Sequence, residues 1–156
     1  MRASLHSLLA LGLVFVGGFV ESGTTPSNAS SGVVHLYTSQ TSLAPYPIRT
    51  AIRDSLTFRK MWREIVGANP APPQVDFTKY LVVIVAMGSV GSTNHIISVL
   101  SFDSAVTPGL RVRTKLVAPG NGCVVGGAFT SPVDVVRIPD ISPIVFFSDT
   151  LIANDC

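Results

Sequence analysis

Cys123 is the residue of this sequence best suited to nucleophilic chemistry, because a thiolate attacks carbonyl carbon once a neighbouring base activates it. His95 is a candidate for that base, with an aspartate to orient its imidazole. A small secreted hydrolase built on Cys123 and His95 is therefore one interpretation. Cys156 offers another, since an oxidising compartment would join the two thiols in a disulfide and remove the nucleophile.

Metal chemistry and serine chemistry have less support in the sequence. A zinc site needs three or four ligands at compatible spacing, and His35 and His95 stand alone without a Cys-x-x-Cys pair. Ser89 lies between glycines in Gly88-Ser89-Val90-Gly91, which lacks the Gly-x-Ser-x-Gly elbow and its following helix. We therefore expect no metal, no cofactor and no catalytic serine.

The glycines and carboxylates of the sequence do not indicate a phosphate-binding loop or a catalytic pair of acids. Gly120 and Gly122 could cradle a phosphate, but no strand leads through them into a helix, so they are better explained as turn residues. Asp76 is interpreted as a turn or cap residue before a strand. No spacing selects a pair of acids for glycoside hydrolysis from the scattered carboxylates Asp76, Asp103, Asp134, Asp140, Asp149 and Asp155.

One amphipathic helix is predicted at about residues 54–66, and it must pack against a sheet. Asp54 is the expected N-cap and Gly67 the stop. Apolar residues at spacings of three and four mark the buried face, namely Phe58, Met61, Trp62, Ile65 and Val66. Trp62 could stack on a ligand, but its place on this stripe favours a core position.

The rest of the chain predicts strands. Short candidates cover residues 33–38 and 48–53, and residues 80–87 form an almost continuous apolar run, typical of a strand buried on both faces. Further strands are predicted at residues 95–103, 110–117, 133–138 and 144–147, with Arg111, Arg113 and Lys115 on a solvated face. Short turns favour an antiparallel meander through residues 80–117.

These elements predict a β-rich α+β domain. Its sheet is expected to be mostly antiparallel, with about six to seven strands, sandwich-like or strongly curled, and with the helix packed on it.

The N-terminus predicts export. Met1 and Arg2 precede an apolar run at residues 8–20, which is short for a membrane span of about 20 residues but fits a signal peptide, with an uncleaved anchor as the alternative. The predicted organisation is a signal peptide at 1–22, with cleavage after Ser22 or after Ala29, then a flexible linker at 23–32 and one domain at 33–156. The mature chain is expected to be secreted, periplasmic or held at the cell envelope, without a membrane span.

Export bears on the cysteines, because an even number of thiols in an oxidising compartment favours a disulfide between Cys123 and Cys156. The bridge would close a loop of about 33 residues, worth roughly 3–4 kcal/mol in the chain-entropy model. Free or intermolecular thiols remain the alternative, since the sequence does not show that the two Cα atoms lie within bridging distance.

Composition limits the partners. Only 13% of the residues are charged and 47% are hydrophobic, which is enough apolar material for a core. The net charge of +2 is too small and too dispersed for a nucleic-acid footprint. No feature of the sequence indicates a small-molecule ligand.

An ordered set of motifs links residues 75–139 to a family. Val75-Asp76-Phe77 precedes the apolar strand, and the Gly88 turn and two strands follow. The set continues with Pro119-Gly120-Asn121-Gly122-Cys123, Ser131-Pro132 and Val135-Val136-Arg137-Ile138-Pro139. This order and spacing resemble the C-terminal domain family of PrcB-type protease-complex subunits. The resemblance extends upstream to the helix that contains Lys60, Met61 and Trp62, so it covers roughly residues 33–139, most of the mature chain.

The resemblance implies a non-catalytic exported domain that binds or stabilises a protein partner, such as a protease or an envelope complex. It places the family's loop and turn motif at Asp76, Gly88, Pro119, Gly120, Gly122, Ser131 and Pro132, and it supplies no catalytic residues. The family's Thr-Gly-Gly-aromatic turn is replaced here by Gly91-Ser92-Thr93-Asn94-His95. A protease inhibitor presenting residues 119–127 is a related alternative.

Overall fold

The computed structural model describes residues 32–106 and 109–154. The predicted signal peptide, nearly all of the predicted linker and Cys156 lie outside these residues. Within them the chain forms one helix, α1 (Ser55–Ile65), and seven strands: β1 (Val34–Ser39), β2 (Ile48–Ile52), β3 (Tyr80–Ala86), β4 (Ile96–Val106), β5 (Gly109–Pro119), β6 (Val133–Pro139) and β7 (Val145–Asn154). The predicted β-rich α+β class is confirmed.

The strands form two sheets. The first has the order β1-β6-β3-β2 and is antiparallel throughout, whereas the second has the order β4-β5-β7. In the second sheet β4 and β5 are antiparallel, and β7 runs parallel to β5.

The predicted meander through β3, β4 and β5 is wrong. Both edges of β3 are already occupied by β2 and β6, so β4 cannot pair with it and the chain crosses to a second sheet. Only the β4–β5 hairpin of that prediction is present. The last strand is also longer than predicted, because β7 continues beside β5 as far as Asn154.

Alternation along β3 creates two apolar cores. Val82, Ile84 and Ala86 face α1, where they pack with Phe58, Trp62 and Ile65. The alternate β3 residues face the second sheet. They belong to a second core, which consists of Leu81, Val83, Val85, Ile97, Val99, Leu110, Val112, Val136 and Ile138. The fold is therefore a three-layer stack of helix, sheet and sheet, and it accounts for the uninterrupted apolar sequence of β3.

Helix α1 is held as its sequence predicts. Asp54 caps its N-terminus by accepting a hydrogen bond from the Thr57 N–H at 2.8 Å. Trp62 is 1% exposed and donates its indole N–H to the Pro70 carbonyl at 2.8 Å. Trp62 is thus a core residue, because a buried indole needs a hydrogen-bond acceptor and finds one in the loop that follows the helix.

Strand β5 has the predicted solvated face up to Lys115 and departs from it at Val117. Leu110, Val112 and Thr114 are buried, whereas Arg113 is exposed. The same alternation would place Val117 on the solvated face, but Val117 is only 8% exposed. Its partners in register are Ile96 on β4 and Ile152 on β7, so this end of the outer face is apolar.

An ion pair joins the two sheets at their β2 and β7 edges. The Arg49 guanidinium on β2 donates to both carboxylate oxygens of Asp149 on β7, with its shortest contact at 2.9 Å from Nη2 to Oδ2. Nη1 of Arg49 also donates to the Ala86 carbonyl at 2.7 Å. This planar, two-pronged geometry fixes the position of β7 over β2.

Membrane-spanning helices are a separate question from the fold. Among residues 32–106 and 109–154, no helix combines the length and apolar character needed to cross a bilayer.

Candidate functional site

Three loop segments meet at one end of the first sheet and enclose a groove of about 280 Å³. We call this region the loop-end surface, and it is lined by Thr41, Ser42, Leu43, Ala44, Pro45, Ser89, Phe129, Thr130 and Ser131. The segments come from the β1–β2 connection, the turn after β3 and the residues just before β6. The site therefore depends on three elements that are distant in sequence.

Ser131 holds two of these segments together. Its hydroxyl donates to the Ala44 carbonyl at 2.9 Å and lies 2.8 Å from the Ser42 hydroxyl, and its N–H donates to the Gln40 carbonyl at 3.0 Å. Ser131 is only 8% exposed, so these bonds are shielded from water. Pro132, next in the chain, is buried and accepts a hydrogen bond from the Met87 N–H at 3.0 Å.

Gly88 allows the third segment to approach. Its φ of +75° lies in the left-handed region, and a Cβ added there would come within 2.6 Å of the Tyr46 carbonyl carbon. Only glycine satisfies both the backbone conformation and the close approach. Three predicted motif residues, Gly88, Ser131 and Pro132, are therefore brought together beneath one surface.

The groove has an apolar and uncharged lining. Leu43 is 63% exposed and Phe129 is 79% exposed, and the remaining lining residues are small or carry hydroxyl groups. Such a lining can take apolar side chains and satisfy backbone groups at its hydroxyl-bearing rim. It supplies no acid, base or nucleophile pair for covalent chemistry.

The remaining glycine motif lies elsewhere, beyond the end of β5. Gly120 donates its N–H to the Asn154 carbonyl at 3.0 Å, and a Cβ at Gly120 would come within 2.7 Å of that oxygen. Gly122 adopts a φ of +93°, and Cys123 N–H donates to the Gly120 carbonyl at 3.3 Å. Pro119, the last residue of β5, stands opposite Asn154 in register. These motif residues thus form a tight turn beside the end of β7.

Cys123 and His95 contact different residues. Cys123 Sγ lies 3.4 Å from the Asn154 carbonyl oxygen, two residues before Cys156. His95 precedes β4 rather than lying within it, and its Nδ1 is 3.3 Å from the Ser92 hydroxyl and 3.2 Å from the Ser92 carbonyl. The placement of Cys123 beside the C-terminal strand favours the predicted disulfide partner, and the bridge itself stays a prediction.

Asp76 forms the turn that leads into β3. Its carboxylate accepts hydrogen bonds from the Thr78 hydroxyl at 2.6 Å and the Thr78 N–H at 3.0 Å, and its carbonyl accepts from the Tyr80 N–H at 3.0 Å. The Thr78 side chain, followed by the Thr78 backbone, lowers the pKa of Asp76 below its ordinary value. Asp76 is therefore a turn residue, as predicted from the sequence, and its lowered pKa is the opposite of what a general acid needs.

The structure singles out one carboxylate that sequence reasoning left unassigned. Asp134 on β6 is fully buried, and it accepts hydrogen bonds from the Thr38 hydroxyl at 2.9 Å and the Val99 N–H at 2.8 Å. His35 Nδ1 lies 2.9 Å from Oδ1 of Asp134, the same oxygen that the Thr38 hydroxyl contacts, whereas the Val99 N–H contacts Oδ2. A sequence signal existed, because Asp134 stands inside the apolar strand pattern of residues 133–138, where an unpaired acid would be costly.

The Asp134 carboxylate could orient the His35 imidazole, but the two residues do not belong to a larger group of titratable side chains among the described residues. Within the part of the chain that the structure describes, no group of three or more histidine, cysteine, aspartate or glutamate side chains could hold a metal ion. The hydrogen-bond partners of Asp134 lie on β1 and β4. Its evident role is to join the two sheets.

Comparison with known proteins bears on the same elements. No curated protein and no solved structure matched this chain. A protein-family model did match, and its description is PrcB C-terminal. Residues 81–139 are matched, so Gly88, Ser131 and Pro132 fall within the matched region, while α1 and the first two strands precede it. The region from β3 to β6 is thus similar to the PrcB C-terminal family, the family that the order of its motifs predicted.

Proposed function

We propose that this chain is an exported, non-catalytic accessory domain that associates with and stabilises an extracytoplasmic protease complex. The matched family is an accessory-type domain associated with protease complexes. Beyond this family association, we propose that the chain is exported, that it has no catalytic activity and that its partner is a subunit of a protease complex.

One observation carries the proposal: three motif residues of the matched region, Gly88, Ser131 and Pro132, shape an exposed surface rather than a reaction centre. Gly88, Ser131 and Pro132 determine the shape of the loop-end surface, and its lining contains no histidine, cysteine or carboxylate. This arrangement supports a role in binding, because a binding surface needs apolar anchor residues on a rigid framework, and buried hydrogen bonds supply that rigidity.

The occupant that we propose for this surface is an uncharged, apolar segment of a protease-complex subunit. No lining residue is charged, so a charged segment would lose its hydration without gaining a partner. Leu43 and Phe129 offer the exposed apolar contact area. The expected interaction is a small hydrophobic anchor surrounded by hydroxyl groups.

Affinity purification of the tagged full-length chain from the envelope fraction of its own host tests this proposal. We expect a protease-complex subunit, identified by mass spectrometry, to be recovered in stoichiometric amount. Phe129→Ser should lower that recovery by about tenfold, as expected for loss of an interface anchor. Leu56→Ser is the matched control, since Leu56 is 73% exposed on α1, away from the groove.

Two outcomes would overturn the proposal. The first is recovery of the chain alone as a free species, and the second is equal partner recovery with Phe129→Ser and Leu56→Ser. Export is tested separately, by sequencing the N-terminus of the purified chain. A new N-terminus at residue 23 or residue 30 supports cleavage, and retention of Met1 contradicts it.

A further inference from the structure

We propose that β7 is a dimerisation edge, at which two copies of this chain join their second sheets through antiparallel β7–β7 pairing. This inference goes beyond the proposed function and does not depend on it. It rests on how the four sheet edges of the described residues differ from one another.

Three of the four edges are unsuited to pairing with another strand. β1 has a register shift between His35 and Tyr37, and β4 has two, between Val99 and Ser101 and between Asp103 and Val106. β2 has only five residues. Bulges and short length are the usual means by which proteins protect an exposed edge from another strand.

The β7 edge lacks these protections. Its ten residues pair with β5 in unbroken register, and its sequence, VFFSDTLIAN, contains neither lysine nor proline. β7 also carries exposed apolar side chains: Phe146 is 44% exposed, Leu151 is 70% exposed and Ile152 is 41% exposed. Within residues 32–106 and 109–154, no strand pairs with its other side.

The backbone of β7 can be assigned a direction at each residue. The carbonyls of Ile144 and Asn154 accept hydrogen bonds from Leu110 and Gly120 on the β5 side. Because successive residues of a strand direct their N–H and C=O groups to opposite sides, even-numbered residues direct them to β5. The groups of Val145, Phe147, Asp149, Leu151 and Ala153 therefore point to the outer edge.

A second copy is the occupant that these features select. The one charge on β7 belongs to Asp149, and the Arg49 guanidinium of the same molecule already binds it, so two edges can meet without an unpaired like charge. Among the strands that the structure describes, each copy has a single long, regular edge. Pairing about a two-fold axis uses both, and it ends at a dimer rather than a filament because β4, at the far side of each sheet, is bulged.

Sedimentation of the full chain, purified from cells that express its whole sequence, tests the dimer. We expect twice the monomer mass under reducing conditions across the micromolar range. Leu151→Lys should weaken the association by more than about tenfold, because a lysine at the edge opposes strand pairing. Leu56→Lys is the matched control, since Leu56 is exposed to the same degree on α1 and should leave the dimer intact.

A backbone test removes ambiguity from the side-chain test. Leu151→Pro deletes an outward N–H and should give a folded monomer, with circular dichroism and the unfolding midpoint confirming the fold. The proposal is overturned by a chain that is monomeric at every concentration, or by a dimer that reductant dissolves. It is also overturned by a dimer that both Leu151 variants leave unchanged.

Discussion

The carboxylate of Asp134 on β6 accepts a hydrogen bond from the backbone N–H of Val99 on β4, with Oδ2 and N 2.8 Å apart. The two strands belong to different sheets, so this bond crosses the sandwich. Val99 directly precedes the β4 bulge, where the register with β5 shifts. Asp134 thus anchors the second sheet to the first at the β1–β6 side, opposite the Arg49–Asp149 pair.

Removal of the Asp134 carboxylate should destabilise the fold. Asp134→Ala leaves the Val99 N–H buried without its acceptor, and we expect a loss of about 2–3 kcal/mol in the free energy of unfolding. Asp134→Asn keeps one carbonyl oxygen and should cost less. Urea denaturation measures both changes.

Asp103→Ala is the control for this series, because Asp103 pairs with the half-exposed Arg113 on the outer face. Its effect should stay below about 1 kcal/mol. If Asp134→Ala proved no more costly than this control, the bond between the sheets would contribute little to stability.

Three glycines should respond differently to alanine, in the order that their surroundings dictate. Gly88→Ala combines a positive φ with a clash against Tyr46, Gly122→Ala has a positive φ in open space, and Gly127→Ala has open space alone. We expect losses of more than about 2 kcal/mol, about 1 kcal/mol and near zero. Thermal unfolding ranks them, and a neutral Gly88→Ala would contradict the close approach described for the loop-end surface.

Acid should remove part of the stability through two turn and cap residues. The Thr57 backbone N–H lowers the pKa of Asp54, and the Thr78 hydroxyl lowers the pKa of Asp76. A carboxyl whose pKa is lower in the folded state stabilises the fold above its unfolded pKa, and that contribution is lost as pH falls through the folded value. The loss should therefore appear below about pH 4.

Asp54→Asn and Asp76→Asn provide the measurement, since asparagine can accept the same hydrogen bonds without titrating. Urea unfolding between neutral pH and pH 3 should show a shallower acid decline in the double variant than in the unmodified chain. Parallel declines would mean that other carboxylates determine the acid sensitivity.

The predicted disulfide can be tested by counting thiols. Cys123 Sγ lies beside the Asn154 carbonyl, and Cys156 is two residues further along in the sequence. If the predicted disulfide forms, the chain purified from its own host should show no reactive thiol when it is unfolded without reductant. Cys156→Ser should then expose one thiol and lower the free energy of unfolding by roughly 3 kcal/mol. Two reactive thiols in the unmodified chain would instead revive the hydrolase interpretation of Cys123 and His95.

Sequence alone was sufficient for elements whose signal is local. The three and four spacing of Phe58, Trp62 and Ile65 predicts α1, and the capping of Asp54 follows from its side-chain chemistry. The apolar run of β3 predicts burial on both faces, as found. These features depend on residues within one or two turns of each other, so their pattern can be read directly along the chain.

Pairing between distant segments was decided only by the tertiary structure. The three partners of Asp134 lie 99, 96 and 35 positions away in sequence, and no local pattern identifies them. The same holds for β5 and β7, whose parallel pairing depends on β6 having entered the other sheet. Strand order is set by which edges remain open after the neighbours have paired, and that competition among edges is a property of the whole fold.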